Sequence, residues 1–575
     1  MVGGVAGGMS CAARARRLDE TAEIIVLERG PHVSFANCGL PYYIGGEITD
    51  PAKLLVQTPA SLRAALNLDV RPQHAVTGVD SSRRVVFVEG PSGPLELSYD
   101  ALVLSPGAVA IRPPITGLDS PRVQTVRTVD DALTVAQLAT AGSPAVVLGA
   151  GFIGLEVAEA LATRGLAVTV VELAEHVLPP LEREMAQPVE AELARLGIEV
   201  RTGVAAVGIE DPSPVESVET QPSSPVETFE TPSPPAIVRL ADGSTLPADL
   251  IVLSVGVRPD TDFLIGSGVA LDRAAIVVDE HGRTSVGGIW AVGDAVASTH
   301  AVTGANRPVA LAGPANRAGR LVADDIVRPG SARPIPRPVG TAIVRVGDLA
   351  VAVTGANSAE LTRAGRAFTT LHLHPNQHAG YFPGAQQLRL LLHVAPDDGR
   401  LLGAQAVGAD GVDKRIDVLA TAIRAGLCVG DLIDLDLAYS PPYGQAKDAV
   451  NLAGMVGSNV LDGTLRLWYA ADLDQVLAEA LVLDVRSAAE VATGTLPGAL
   501  TIPHTELRGR LAEVAAAADG RPVRVFCASG VRSAIAHRVL TQAGFDSASL
   551  SGGMLTLRAH LGATADDVLV TPVTV

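Results

Sequence analysis

The stretch Ala145-Val-Val-Leu-Gly149-Ala-Gly151-Phe-Ile-Gly154-Leu-Glu156 decides how the middle of this chain folds. Its apolar start predicts a buried strand. Gly149, Gly151 and Gly154 then complete a G-x-G-x-x-G turn that leads into a helix over 155–164. This order of strand, turn and helix is typical of a dinucleotide-binding fold, in which the pyrophosphate lies at the helix N-terminus.

The next strand supplies the acidic residue that such a fold uses. Residues 168–171, Val-Thr-Val-Val, form a mostly apolar run into Glu172, eighteen residues after Gly154. A carboxylate at this position accepts hydrogen bonds from a free ribose 2′-hydroxyl, so Glu172 favours NADH over NADPH. The alternative is a carboxylate that only caps the end of the strand.

A less complete copy of this pattern opens the chain. Gly3 and Gly8 match the first and third glycines, but Val5 stands at the middle position. A helix over 9–18 and a strand over 23–27 follow, and Glu28 at the strand end would accept hydrogen bonds from an adenosine ribose. The alternative for this segment is a plain tight turn.

The first strand of that fold is almost missing. A dinucleotide fold needs a central strand of about five residues before its first glycine, whereas only Met1 and Val2 precede Gly3. We therefore expect either that the coding sequence begins upstream of Met1 or that the protein starting there is unstable.

Two further strand ends resemble the flavin contacts of flavoproteins with two dinucleotide folds. The first is Ser105-Pro-Gly107, and the second is Trp290-Ala-Val-Gly293-Asp294. Glycine lets the backbone approach the cofactor, and the Asp294 carboxylate would bind ribityl or pyrophosphate-side hydroxyls. Together with the two glycine turns, these segments indicate FAD as well as NADH.

Bulk composition excludes several classes of partner. The 575-residue chain has a net charge of -18, which argues against nucleic acid and anionic membranes. Its four cysteines do not form a disulfide framework, so we expect a reducing, cytoplasmic setting. We find no metal-ligand spacing, no signal peptide, and no apolar run of the ~20 residues that span a membrane.

Two cysteines lie in patterns that predict reactivity. Cys38 stands alone in Ser34-Phe-Ala-Asn37-Cys38-Gly-Leu-Pro-Tyr, which we interpret as a redox thiol facing a flavin. Cys527 follows the apolar strand 523–526 and precedes a predicted helix, where N–H groups and the helix dipole would activate a thiolate. The alternative for Cys527 is a buried, inert side chain.

One segment has the composition of a disordered insertion. Residues 210–235 contain seven prolines and six acidic residues but no basic residue. Such a segment cannot bury enough apolar surface to order itself. We expect it to interrupt a hairpin and to have no catalytic role.

With these residues in hand, the chain resembles the coenzyme A-disulfide reductases of the pyridine nucleotide-disulfide oxidoreductase family. The closer resemblance is to the subgroup with a C-terminal rhodanese domain, which includes NADH-dependent per- and polysulfide reductases and NADH oxidases. The most specific shared segments are the Cys38 stretch, Gly313-Pro-Ala-Asn316-Arg, Asp413-Lys-Arg-Ile-Asp417 and Tyr439-Ser-Pro-Pro-Tyr443.

The resemblance implies an α/β chain with two Rossmann-like domains, an α+β dimerisation domain and a rhodanese domain. The expected divisions are an FAD domain in two parts (1–112 and 261–333), an NAD(P)H domain (113–260) containing the insertion, a dimerisation domain (334–458) and a rhodanese domain (468–565).

The resemblance also implies roles for individual side chains. Cys38 would form a mixed disulfide with coenzyme A (CoA), while Ser34 and Asn37 hold the pantetheine arm. Arg14 and Arg17 would reach the CoA phosphates. The further candidates without an assigned role are Arg16, Asn316 and Arg320.

In the same way, tyrosines from the partner subunit of a homodimer would protonate the departing CoA thiolate. Tyr381 and Tyr439 match those tyrosines, and Tyr443 is a weaker candidate. The family usually has a second tyrosine where this chain has Phe382. Cys527 would carry a persulfide.

The expected function is NAD(P)H-dependent, FAD-mediated reduction of CoA disulfide, CoA persulfide or polysulfide. One alternative is an NADH oxidase or peroxidase that cycles through a Cys38 sulfenic acid. Related peroxidases carry a histidine where this chain has Ala6, which weakens the peroxidase alternative. The others are a redox sensor and a sulfurtransferase with an accessory reductase.

Overall fold

The computed structural model describes residues 1–212 and 234–571, which group into two compact units. The first unit comprises 1–179, 193–300 and 305–338; the second comprises 180–192, 301–304 and the residues from Val339 onward. Residues 213–233 of the expected insertion lie outside the described part of the chain. The strands on either side of it, Ala206–Glu210 and Ala236–Leu240, pair antiparallel as a hairpin would.

The first sheet of the first unit forms around the two residues at the start of the chain. Ile25–Leu27 pairs in parallel with Asp69–Arg71, and Leu102–Leu104 pairs in parallel with Ile289–Ala291. Val2 bridges these two pairs, because it pairs in parallel with both Leu27 and Leu104. A single buried residue therefore holds the position where the sequence predicts a central strand.

A second parallel sheet contains the segment around Gly149. Its strands lie in the order Glu199–Arg201, Ala167–Val171, Pro144–Leu148, Leu250–Leu253 and Val123–Gln124. The predicted succession of strand, turn, helix and strand is confirmed. Both helices begin three residues earlier than the sequence predicted, at Ala6 and Phe152, because the end of each glycine turn already adopts helical dihedral angles.

Short antiparallel ribbons and helices complete the first unit. The ribbons are Ala75–Asp80 with Val85–Gly90 and Gly93–Ser98, Ala236–Leu240 with Ala206–Glu210 and Thr245–Ala248, Ala108–Ala110 with Val257–Pro259, Leu271–Asp272 with Ala275–Ile276, and Ser298–Thr299 with Asn306–Arg307. The helices are Ala6–Leu18, Leu40–Ile44, Pro59–Leu66, Val129–Leu138, Phe152–Thr163 and Ala312–Val327, while Arg183–Arg195 spans the boundary between the units.

The second unit contains an antiparallel sheet followed by a parallel one. The antiparallel strands lie in the order Ala342–Val346, Leu349–Gly355, Leu401–Gly408, Arg389–Val394 and Thr369–Leu373. The parallel strands lie in the order Leu467–Trp468, Ser547–Leu550, Val523–Phe526, Leu481–Asp484 and Leu500–Thr501.

Helices cover both sheets of the second unit. They are Ser358–Arg363, Val412–Ala425, Ala449–Leu461, Leu473–Glu479, Ala488–Val491, Leu511–Ala518, Val531–Gln542, Gly553–Leu561 and Ala565–Val568. None of the described helices in either unit combines the length and the apolar character that crossing a bilayer requires.

The helices Ala6–Leu18 and Ala312–Val327 pack backbone against backbone. A Cβ placed on Gly319 would lie 2.2 Å from the carbonyl oxygen of Gly7, a distance that no side chain tolerates. Gly319 therefore sets how closely the second helix approaches the helix that follows the first glycine turn.

We predict that Gly319→Ala lowers the melting temperature by several degrees, because overpacking costs about 1–3 kcal/mol. Gly313→Ala on the same helix is the matched control, since its added Cβ would meet the Arg317 Nη1 at an ordinary 3.5 Å. Thermal unfolding of the two variants checks this. Equal melting temperatures would show that the helix pair tolerates separation.

Candidate active site

The first glycine turn lies where the carboxyl ends of parallel strands meet. Gly3 has φ 95°, and a Cβ there would lie 1.9 Å from the Ser105 carbonyl oxygen. A Cβ on Gly8 would lie 2.0 Å from the carbonyl oxygen of Gly3. Both positions therefore require glycine, which leaves the backbone N–H groups at the start of the helix uncovered for an anionic group.

The second glycine turn repeats this geometry. Gly149 has φ 102°, and a Cβ there would lie 2.4 Å from the Ser254 carbonyl oxygen. A Cβ on Gly154 would lie 2.0 Å from the Gly149 carbonyl oxygen. The two turns thus enclose the same kind of cradle, which fits a dinucleotide pyrophosphate in each case.

The middle position of the motif is where the two turns differ. Gly151 has φ −74°, and a Cβ there would meet no atom within 4 Å. Val5 holds the equivalent place before its helix with φ −112°. Neither position needs a left-handed backbone, so a valine at the first turn causes no clash within the protein.

An acidic side chain is anchored at each turn by the same pair of contacts. Glu28 accepts the N–H of Gly4 at 2.8 Å and that of Gly30 at 2.9 Å. Glu172 accepts the N–H of Ala150 at 2.7 Å and also that of Ala174. Each carboxylate is therefore bound to its glycine turn, and each oxygen keeps a lone pair that a ribose hydroxyl can use.

Asp294 lies at the same edge of the sheet as the first turn. Gly293 before it has φ 85°, and Gly107 at the end of the neighbouring strand segment has φ 73°. Burial raises the pKa of the Asp294 carboxyl, an effect that the positive charge of Arg127 partly offsets.

Arg127 is a residue that the sequence did not single out. Its Nη2 donates to the Ala108 carbonyl oxygen at 3.0 Å, and its buried Nε has no hydrogen-bond partner among the described residues. An unpaired buried donor is costly unless a bound group satisfies it. Its position beside Asp294 fits the flavin cofactor that the two sheets imply.

The Cys38 loop is tied to the first glycine turn. Ser34 adopts φ 47°, a strained value for a non-glycine residue, and its N–H donates to the Gly4 carbonyl oxygen at 2.9 Å. Asn37–Gly39 then forms a 3₁₀ turn that leads directly into the helix Leu40–Ile44. Cys38 is exposed on this turn.

Glu156 is the charged residue that acts on the Cys38 thiol. Partial burial raises the pKa of the Cys38 thiol, and the Glu156 carboxylate raises it further. The Tyr42 hydroxyl donates to Glu156 at 3.3 Å. Because Glu156 lies on the helix of the second glycine turn, the thiol loop lies beside both nucleotide cradles. The sequence places Glu156 in the motif but did not suggest this role.

The arginines of the first helix have different environments. Arg14 forms an ion pair with Asp324 at 2.6 Å, whereas the exposed Arg17 donates to the carbonyl oxygen of Ala13 on its own helix. Arg16 is buried and donates to four backbone carbonyl oxygens, which is a structural role. Asn316 accepts a hydrogen bond from Ser10, and Arg320 is exposed.

The predicted tyrosines meet in the second unit. The hydroxyls of Tyr381 and Tyr439 lie 3.1 Å apart, and the side chains are 77% and 48% exposed. The hydrogen bond with Tyr439 raises the pKa of Tyr381. Tyr443 is also exposed but has no described contact with this pair.

A buried ion pair supports both tyrosine loops. The guanidinium of Arg415 contacts the Asp448 carboxylate at 2.7 and 3.2 Å and donates to the Gln377 carbonyl oxygen at 2.7 Å. It thereby joins the loop that carries Tyr381 to the segment that follows Tyr439. Arg415 belongs to a stretch that the sequence marks as specific, but its pairing with Asp448 could not be predicted from the sequence.

Cys527 is buried at the end of the strand Val523–Phe526. Its sulfur accepts the N–H of Gly530 at 3.2 Å and the hydroxyl of Ser533 at 3.4 Å, at the start of the helix Val531–Gln542. Arg532 beside it forms a bidentate ion pair with Glu490 and holds the pKa of that carboxyl down at about 2. The positive charge expected near Cys527 is therefore largely neutralised.

Three family matches cover most of the chain. Residues 1–313 match the pyridine nucleotide-disulphide oxidoreductases, residues 341–450 match the dimerisation domain of the same family, and residues 468–559 match the rhodanese-like domain.

Individual relatives cover between 79% and 99% of the chain. A coenzyme A disulfide reductase from Staphylococcus epidermidis is 35% identical over 79% of this chain and 98% of its own. Reduced CoADR-RHD from Bacillus anthracis is 37% identical, with a TM-score of 0.91 over 99% and 98% of the two chains. An NAD-dependent persulfide reductase from A. fulgidus is 35% identical, with a TM-score of 0.86 over 96% and 99%.

We predict that Glu156→Gln raises the alkylation rate of Cys38 at neutral pH about threefold or more, because loss of the carboxylate lowers the pKa of the thiol. Tyr42→Phe, which leaves the carboxylate in place, is the matched control. Peptide mass spectrometry after timed iodoacetamide treatment measures both rates. A rate in Glu156→Gln no higher than wild type would show that Glu156 does not act on the thiol.

Proposed function

The chain belongs to the pyridine nucleotide-disulphide oxidoreductase family and is an FAD-dependent oxidoreductase that uses NAD(P)H, and on that premise we propose that it reduces CoA disulfide or CoA persulfide through Cys38. The observation that carries this proposal is the position of one exposed thiol on a loop bound to the first glycine turn, next to Glu156 of the second. A redox disulfide within one chain would need a second cysteine in a C-x-x-x-x-C pair, but the matching position holds Tyr43. A bound small thiol therefore supplies the second sulfur.

Two nucleotide cradles serve this reaction. Gly3, Gly8, Glu28, Gly107 and Asp294 would hold FAD. NADH would lie on the second turn, held by Gly149, Gly151, Gly154 and Glu172. FAD, when bound, accepts a hydride from NADH and returns the electron pair to a disulfide.

The protein's own chemistry begins at Cys38. Its thiolate attacks CoA disulfide, so that Cys38–S–S–CoA forms and one CoA thiolate leaves. Two-electron cleavage of the new disulfide releases the second CoA thiolate and regenerates the Cys38 thiolate. The net reaction is CoA–S–S–CoA + NADH + H⁺ → 2 CoA–SH + NAD⁺.

CoA persulfide follows the same course. Attack of the Cys38 thiolate on the CoA sulfur releases hydrosulfide and leaves the same mixed disulfide. The net reaction is CoA–S–SH + NADH → CoA–SH + HS⁻ + NAD⁺. Cys527 would exchange the same sulfane sulfur: its thiolate takes the outer sulfur of CoA–S–SH to give Cys527–S–SH and a CoA thiolate.

Polar groups around the thiol would bind the substrate. Ser34 and Asn37 flank Cys38 and suit the amides of a pantetheine arm. Of the two arginines expected to reach the CoA phosphates, Arg17 is the better ligand, because Arg14 is already paired with Asp324.

We further propose that the protein is a homodimer and that it is cytoplasmic. The hydrogen-bonded hydroxyls of Tyr381 and Tyr439 would protonate the CoA thiolate released at the partner subunit's Cys38. Their high exposure within one chain suits side chains that a second copy covers. The four cysteines are free thiols, as a reducing compartment favours.

Two cysteine substitutions test the function. We predict that Cys38→Ser reduces NADH-driven CoA-disulfide reduction by about three orders of magnitude or more, because the nucleophile is lost. Cys527→Ser is the matched control and retains this activity within about twofold. Anaerobic NADH oxidation with CoA disulfide measures both.

Two further measurements decide between the alternatives. The intact mass of the wild-type protein should fall by one CoA after treatment with a reductant, and Cys38→Ser should carry no adduct. Turnover that occurs only with oxygen would favour the oxidase, whereas turnover that persists in Cys38→Ser would contradict a role for the Cys38 thiol in either reaction. Loss of all turnover in Cys527→Ser would favour a sulfurtransferase.

A further inference from the structure

The loop that carries Cys527 rests on the start of the helix Gly553–Leu561. The N–H of Met554 donates to the Cys527 carbonyl oxygen at 2.8 Å, and the N–H of Leu555 donates to the Ala528 carbonyl oxygen at 3.0 Å. The backbone that places the Cys527 sulfur is therefore held by the first N–H groups of a second helix, which would otherwise need partners of their own.

No side chain separates these backbones. A Cβ on Gly553 would lie 2.6 Å from the Cys527 carbonyl oxygen. A Cβ on Gly552 would lie 2.8 Å from the Cβ of His372, a residue of the antiparallel strand Thr369–Leu373. The glycine pair thus lies directly between the Cys527 loop and the preceding sheet, so a shift of that sheet reaches the loop.

The His372 ring bonds Ser551 through one nitrogen and Glu184 through the other. Its Nδ1 lies 2.8 Å from the Ser551 Oγ, and its Nε2 lies 2.7 Å from the Glu184 Oε1. The His372 backbone N–H also donates to the Ser551 Oγ at 3.3 Å. Because a carboxylate only accepts, the proton belongs on Nε2, which leaves Nδ1 to accept the Ser551 hydroxyl.

A second histidine of the same segment holds the helix one turn further on. The Nε2 of His374 lies 2.8 Å from the Thr556 Oγ1. Burial, with the nearby positive charge of Arg389, lowers the pKa of His374 to about 3, so this contact is made by a neutral ring near neutral pH.

Glu184 is held as a carboxylate beneath His372. Burial alone would raise its pKa, but the hydrogen bond from His372, together with His560 at 4.0 Å, outweighs burial and lowers it. The ring of Tyr469 lies edge-on to His372 at 6.4 Å. These residues, with Arg389, are the titratable and charged groups that face the two histidines.

Ser551, His372 and Glu184 lie in a row but do not form a hydrolytic triad. Ser551 is only 3% exposed, which leaves it out of reach of a substrate. The ring nitrogens are also reversed, since Nδ1 rather than Nε2 faces the hydroxyl. The arrangement suits support of the backbone at Ser551 rather than attack on a substrate.

We propose that His372 and His374 are positioning residues for the sulfur site at Cys527, and that they act through Ser551, Thr556 and the glycine pair between them. Segments of all three family matches converge here, since Glu184, His372 and Ser551 each belong to a different one. The sulfur chemistry of the C-terminal domain then depends on the sheet that precedes it. The proposal rests on the proposed function only in taking Cys527 as the sulfur-carrying thiol.

The pH dependence of Cys527 alkylation in the full-length protein tests this without substrate. Timed iodoacetamide labelling, resolved by peptide mass spectrometry, gives an apparent pKa for Cys527 and for Cys38 in the same sample. We expect His372→Ala and His374→Ala to raise the apparent pKa of Cys527 by about one unit, because its sulfur loses the hydrogen bond from the Gly530 N–H. This shift corresponds to about tenfold less thiolate at neutral pH. Cys38 should not change.

Three conservative variants separate positioning from general stability. His372→Asn keeps a polar atom near Ser551, whereas His372→Gln keeps one near Glu184. The first should leave the apparent pKa of Cys527 near wild type, and the second should behave like the alanine variant. Tyr469→Phe is the matched control, since its hydroxyl donates to the Thr370 carbonyl oxygen on the same strand without touching the glycine pair.

An unchanged apparent pKa of Cys527 in His372→Gln would overturn the proposal, and so would an equal shift in Tyr469→Phe. If the alanine variants do not fold, the comparison of His372→Asn with His372→Gln decides alone. Labelling uses neither NADH nor CoA, so a failure of the proposed reductase reaction appears separately, in the Cys38→Ser assay.

Discussion

The close approach of the two ends of each glycine turn is the constraint on which the rest of this protein depends. At both turns a Cβ on the last glycine would lie 2.0 Å from the carbonyl oxygen of the first. Only glycine fits, and the contact places the start of a helix directly over the end of a strand. Uncovered N–H groups and an anchored carboxylate then face the same space, which is the chemical description of a dinucleotide site. That this geometry occurs twice in one unit supports a flow of electrons between two nucleotides.

The reactive groups of the chain are exposed or poorly activated, while their supports are buried. Cys38 is a surface thiol whose pKa is raised by partial burial and by Glu156, which lowers the fraction of reactive thiolate. The tyrosine pair is likewise open to solvent within one chain, yet the ion pair of Arg415 with Asp448 beneath it is buried and fully bonded. Rigid supports under accessible groups suit a site completed by a substrate and by a second subunit.

The buried histidines show how one domain can support the reactive site of another without contacting its substrate. His372 and His374 contact no substrate in the proposed chemistry, but they are packed against the glycines that back the Cys527 loop. Histidine suits this position because its two ring nitrogens bond partners on opposite sides. The neighbouring pair of Glu182 and His393 uses the same chemistry on the adjacent strand. Neutral or paired histidines therefore join the segments of the second unit.

The sequence by itself determined the local structures. Glycine spacing, apolar runs and strand-end acids predicted both nucleotide turns, the strands before Glu172 and Cys527, and the family, because backbone sterics and alternation act over a few residues. It could not predict that Val2 would pair with both Leu27 and Leu104, that Val5 would cause no clash, or that both helices begin at their turns. The tertiary structure alone decided that Glu156 lies beside Cys38, Arg127 beside Asp294, and His372 beside Ser551. These contacts join residues distant along the chain, and their distances are set by packing, which no local pattern encodes.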